Sequence, residues 1–114
     1  MNKKEKTWII RGTVRKFEKD FLEGLKSTIF LGMEARMVQS GNTKGCSCTD
    51  WIDVSEYKGA QEVLSGMEFY KGQDIIVWVE QATDESGKST YTLKRVREQA
   101  RDFVSGIKFL EKFI

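Results

Sequence analysis

The sequence predicts a mainly β domain of five strands, with a short helix between strands three and four and an amphipathic helix at the C-terminus. Three observations carry this expectation. Apolar and β-branched residues alternate with polar ones along much of the chain. Clusters of Gly, Asn, Asp and Ser interrupt the alternation where hairpins are needed. The 114 residues suffice for one hydrophobic core and not for two. With 39% hydrophobic and 32% charged residues, the chain has enough apolar surface to fold rather than remain disordered.

The elements follow in order. Residues 7–17, rich in Trp, Ile, Thr and Val, read as the first strand. Gly12 inside it marks a bulge or a tight bend. Residues 27–38 alternate with a period of two. Ile29, Leu31, Met33, Ala35 and Met37 form a core face, and Phe30, Gly32, Glu34, Arg36 and Val38 form the other. The turn cluster at 40–45 leads into a third strand at 46–54, with Trp51 on the face opposite Cys48 and Ile52. Residues 55–66 change to helical spacing through Ala60, Val63 and Leu64, with Ser55 as the start and Gly66 as the stop. Gly59 weakens that helix. Residues 74–80 form the fourth strand, Asp84-Glu85-Ser86-Gly87 a hairpin loop, and 90–96 the return strand. From Glu98 onward Ala100, Phe103, Val104, Ile107 and Leu110 recur at helical steps, with Gly106 a weak point in the middle. The domain plan is a flexible basic N-terminus at 1–6, a β domain at 7–97 and a C-terminal helix at 98–114.

Several chemistries are excluded by composition. The chain has no His and two Cys, so His-type metal sites and Ser-His or Cys-His catalysis are ruled out. Cys46 and Cys48 read as small strand residues, with a redox or metal role as the alternative. Asp50, Asp53 and Glu56 lack a second acidic cluster or a phosphate loop beside them, so no catalytic residue, metal or cofactor is expected. No apolar run approaches a membrane span, and no secretory signal is visible, which leads to the expectation of a cytoplasmic protein with free thiols.

The net charge of +2 conceals a strong segregation. Residues 1–19 carry seven Lys/Arg against Glu5 and Glu18, and residues 88–101 carry five against Glu98. Residues 45–87 carry Lys58 and Lys71 against nine acids. Two basic segments at the ends of the chain make one basic face if they are neighbours in the fold. The alternative is that they keep exposed strands soluble.

The order strand, strand, strand, helix, strand, strand resembles the OB-fold superfamily of oligonucleotide-binding barrels. Ile10-Arg11-Gly12-Thr13-Val14 is similar to the first strand of that fold, in which a Gly lets the strand bend across both halves of the barrel. The segment from Gly66 through Lys71-Gly72 to Val79 is similar to the approach to its fourth strand. The resemblance covers roughly residues 7–97 and implies a five-stranded barrel. It also implies a ligand face across strands two and three, flanked by the loops between strands one and two and between strands four and five. That puts Phe30, Arg36 and Trp51 on the face, Lys16, Lys19 and Lys26 near the first loop and Lys88 near the second. It further implies that Arg11, Arg15 and Lys16 on strand one come near Lys94, Arg95 and Arg97 on strand five.

Two functions are therefore expected, neither of them catalytic. The first is binding of single-stranded DNA or RNA by aromatic stacking and phosphate attraction, with Glu34, Asp53, Asp84 and Glu85 opposing it. The second is a protein-interaction or oligomerising module, such as a homodimer, in which Phe103, Ile107, Leu110 and Phe113 on the tail helix dock onto a partner.

Overall fold

A computed structural model describes residues 4–20, 28–41 and 45–99. Lys26, the 40–45 turn beyond Gly41, and the tail with Phe103, Ile107, Leu110 and Phe113 lie outside the described residues or largely so. Among the described residues the protein is mainly β, with five antiparallel strands in one sheet. They are β1 (Lys4–Asp20), β2 (Thr28–Ser40), β3 (Cys46–Asp53), β4 (Asp74–Thr83) and β5 (Ser89–Glu98). The spatial order is β3-β2-β1-β4-β5. Among the described residues, no helix is long and apolar enough to cross a membrane.

β1 is the spine of the sheet and pairs with β2 on one side and β4 on the other. It begins earlier than its composition predicts: Lys4, Glu5 and Lys6 pair with Thr83, Ala82 and Gln81. Lys6 also stacks its ammonium 4.4 Å from the Trp8 ring centre. β5 likewise extends through Glu98, and the Gln99 N–H donates to the Asp74 carbonyl.

One face of the sheet is the core. Ile10 and Val14 of β1, Ile29, Leu31, Met33 and Ala35 of β2, Ile75, Val77 and Val79 of β4, and Leu93 and Val96 of β5 are all buried on it. Full burial of each larger aliphatic chain contributes on the order of 1.5–3 kcal/mol. Phe17 meets Phe69 edge to face at 5.4 Å, which adds a directional contact at the end of the core.

The segment after β3 differs from the single helix predicted for 55–66. A 3-10 turn at Val54–Glu56 and a helix α1 (Ala60–Leu64) are separated by Tyr57-Lys58-Gly59. Asp53, not Ser55, caps the first turn, by accepting from the Ser55 N–H. Gly59 has φ +76° and begins α1, so the residue that weakened the prediction is the one that splits the helix. Gly66, at φ +81°, follows its end as expected. The segment covers the edge of β2 where β3 no longer does. Gln61 donates to the Ile29 carbonyl and accepts from the Ile29 N–H, at 3.0 and 2.9 Å, and Ser55 Oγ accepts from the Leu31 N–H.

β3 and β5 are the two edges of the sheet. The chain just past β3 rejoins β5 through a single parallel bridge between Lys58 and Thr92. There the Lys58 N–H donates to the Tyr91 carbonyl at 3.0 Å and the Leu93 N–H to the Lys58 carbonyl at 2.9 Å.

Candidate nucleic-acid interface

The face turned away from the core carries the charge, and three of the four register shifts in the described sheet decide how much of it; the fourth sets Cys48 and Thr49 of β3 opposite Arg36 of β2. β1 holds one extra residue between Val14 and Lys16, opposite Met33-Gly32. β2 holds one between Ala35 and Met37, opposite Gly12-Arg11. β5 holds one between Leu93 and Arg95, opposite Val79-Trp78. The extra residues are Arg15, Arg36 and Lys94, all basic. A bulge sets two consecutive side chains against one partner. Each of these therefore adds a cation to the outer face without disturbing the inward alternation on either side.

The second bulge corrects the predicted pattern of β2. Strict alternation assigned Met37 to the core and Val38 to the outer face. Arg36 shifts the phase, so Met37 is 38% exposed and Val38 packs against the core.

The outer cations fall into two groups. On β1, β4 and β5, Arg11 shares a row with Ile76 and Arg97, and Ile9 shares the next with Trp78 and Arg95. Arg95 lies 5.1 Å from the Trp78 ring centre, and Arg11 Nη1 donates to Gln39 Oε1 at 3.2 Å. Arg11, Arg95 and Arg97 thus share a face, with β4 between β1 and β5 rather than those two strands adjacent. Arg15 and Lys16 lie further along β1, next to β2. Arg15 Nε is 2.9 Å from Glu34 Oε2, and Lys16 sits 5.3 Å from the Phe30 ring centre and 3.8 Å from Glu18.

The acids expected to oppose an anion are largely engaged. Glu34 is held by Arg15, while Glu85 is exposed and has no ion pair among the described residues; two acids outside that set, Glu80 and Glu18, lie 3.9 Å from Lys94 and 3.8 Å from Lys16. Asp53 accepts from both the backbone and the hydroxyl of Ser55. Asp84 accepts from the N–H groups of Ser86 and Lys88, closing the β4–β5 hairpin. The Ser86 hydroxyl first, and then these backbone bonds, hold its carboxyl below the usual range. Lys88 stands exposed on that hairpin, away from both groups. Among the described residues, no carboxylate lies within ion-pairing distance of Arg11, Arg36, Arg95 or Arg97.

Trp51 is the exposed aromatic of this face. Its register partner is Glu34, and its ring lies over the backbone of Gly32. A β-carbon on Gly32 would fall 2.2 Å from Trp51 Cζ2, so only Gly admits the ring there. The ring remains 56% exposed. Phe30 is half-buried two residues before Gly32 on the same strand face. Ile52 points to the core side, as predicted, and the Cys48 thiol donates to the Ala35 carbonyl. Burial, then the charge of Asp50, pushes the Cys48 thiol above its ordinary pKa, while Cys46 is exposed.

Beside Trp51, where β3 and β5 part, opens a cleft of about 560 Å³ lined by Trp51, Asp53, Glu56, Tyr57, Lys58 and Tyr91 among others. Tyr91 is 44% exposed, and burial, then the neighbouring Tyr91, pushes the Tyr57 phenol above its usual pKa. Sequence reading did not find Tyr57, Lys58 and Tyr91. The first two were assigned to a continuous helix and the third to an ordinary strand position, and only the parallel bridge brings them together. The chain matches no family model, no curated protein and no solved structure, so what this surface can do is read from its own residues.

Proposed function

We propose that the chain is an OB-like barrel that binds single-stranded nucleic acid on its outer sheet face and performs no catalysis. The strand order and the parallel contact of Lys58 with β5 support the barrel reading. The observation that carries the function is the exposed Trp51 over Gly32, on a face to which three bulges each add a cation. Trp51 and Phe30 offer stacking surfaces, each worth about 1–3 kcal/mol per base. Arg36, Lys16 and Arg15 flank them, and Arg11, Arg95 and Arg97 extend the positive surface for the sugar-phosphate chain. Local pairing of Glu34, Glu80 and Glu18 lowers the repulsion an approaching phosphate meets.

The test is fluorescence anisotropy of a labelled mixed-sequence single-stranded DNA at two salt concentrations, with the matching RNA alongside. Micromolar binding that weakens with salt is expected, the logarithmic slope rising by about 0.7 for each phosphate contacted. Trp51→Ala is expected to weaken binding about tenfold or more, and Arg36→Glu to lower both affinity and slope. Failure of both oligonucleotides to bind at low salt overturns the reading.

A further inference from the structure

We propose that the cleft between β3 and β5 takes a single guanine base, making the bound strand guanine-selective. This rests on Trp51 as a stacking surface, because its ring is shared by the outer face and the cleft. The cleft volume, about 560 Å³, suits one nucleotide. Three rings, Trp51, Tyr57 and Tyr91, line it and provide π-faces for an unstacked base. Lys58 stands exposed in the lining, suited to the phosphate of the same nucleotide.

The carboxylates select the base. Asp53 and Glu56 would repel a phosphate inside the cleft, so the base rather than the backbone is the part that enters. Asp53 is already engaged by Ser55. Glu56 is exposed and has no partner among the described residues. An ionised carboxylate only accepts, through two oxygens side by side. Guanine alone among the common bases presents two adjacent donors on its Watson–Crick edge, N1–H and N2–H. Adenine and cytosine each set an acceptor beside their amino group, and thymine and uracil flank one N–H with carbonyls. The acid that counts against a phosphate therefore favours guanine.

The experiment compares oligothymidines carrying one central guanine, hypoxanthine or adenine, with an all-thymidine control, on wild type and Glu56→Gln. In parallel, guanosine and adenosine monophosphates are titrated while the indole N–H resonance of Trp51 is followed by NMR. Guanine is expected to bind about tenfold tighter than adenine. Hypoxanthine, which lacks the N2 amino group, should fall between. Glu56→Gln should erase the preference, bringing the guanine strand to the affinity of the adenine strand, and guanosine monophosphate alone should shift the Trp51 resonance. Equal affinity for all the strands, or a guanine preference that survives Glu56→Gln, overturns the cleft assignment and leaves the outer-face reading standing. A guanosine shift without oligonucleotide binding does the reverse. Silence in both arms overturns both.

Discussion

At the scale of single residues, two glycines on neighbouring strands separate stability from function. Gly12 is packed against backbone: a β-carbon there would lie 2.1 Å from the Glu34 carbonyl oxygen and 2.9 Å from the Ala35 Cα. Backbone cannot move aside as a side-chain tip does, so Gly12→Ala is expected to cost about 3 kcal/mol, read as a lowered urea midpoint. Gly32 faces the far edge of the Trp51 ring instead. That ring can swing into solvent, so Gly32→Ala should cost about 1 kcal/mol or less while displacing the stacking surface. The expected result is a near-native urea midpoint with oligonucleotide affinity reduced as far as in Trp51→Ala. A Gly32→Ala protein that binds like wild type would show that the ring's position over Gly32 has no part in binding. Both glycines stand in the sequence, but only Gly12 signalled its role there, because a Gly within a β-branched run marks a bend. The role of Gly32 depends on a ring from a strand almost twenty positions away, which no local pattern reveals.

At the scale of elements, the bulges carry most of what the alternation left unread. All five strands were legible to within three residues, because β-branched runs between turn clusters leave few other solutions. The inward residues of β2 were legible as far as Ala35 for the same reason. Beyond it the pattern broke, since a bulge adds a residue without a composition of its own, and Arg36 looks like any outward strand position. The three bulges share a property with a testable consequence. Removing Arg15, Arg36 or Lys94 restores period-two alternation, with Val14 and Phe17, Ala35 and Val38, or Leu93 and Val96 still facing inward. A core kept in phase is the condition for a tolerated deletion. Deletion of Lys94 is therefore expected to leave a cooperatively folding protein within about 1–2 kcal/mol of wild type. Deletion of Arg95 instead leaves Lys94 to take its place, so the fold is equally kept and only the contact with Trp78 is lost. Deletion of Val96 shifts Arg97 inward and should abolish folding. Thermal unfolding followed by circular dichroism separates the first two from the third. Equal damage from all three would mean the bulges are required by the fold and not additions to its outer surface.

At the scale of the whole molecule, the two sheet edges are joined by the segment from Val54 to Leu64. Val54, Ala60 and Leu64 are buried against the sheet, Gln61 and Ser55 bond the free edge of β2, and Lys58 bridges to β5. This segment bonds to strands that lie before and after it in the chain, and sequence reading saw it only as one helix. Tyr57 lies within it and reports on its integrity through pH. Burial holds the Tyr57 phenol neutral in the folded protein to a pH above its ordinary value of 10.0. In the unfolded chain the same phenol ionises near pH 10. The folded form binds the proton more tightly, so this contribution to stability is complete below about pH 10 and is lost as pH rises beyond it. Lysine deprotonation in the same range affects wild type and variant alike, so the informative quantity is the difference between wild type and Tyr57→Phe. From pH 8 to pH 11 the urea midpoint of wild type is expected to fall more steeply than that of Tyr57→Phe, which has no proton to lose. Parallel curves would mean that Tyr57 is solvated in the folded protein and that the segment between the two sheet edges opens readily to water. A steeper wild-type curve would place the bridge among the parts of the fold that open only when the molecule unfolds, and would make the cleft beside it a preformed one.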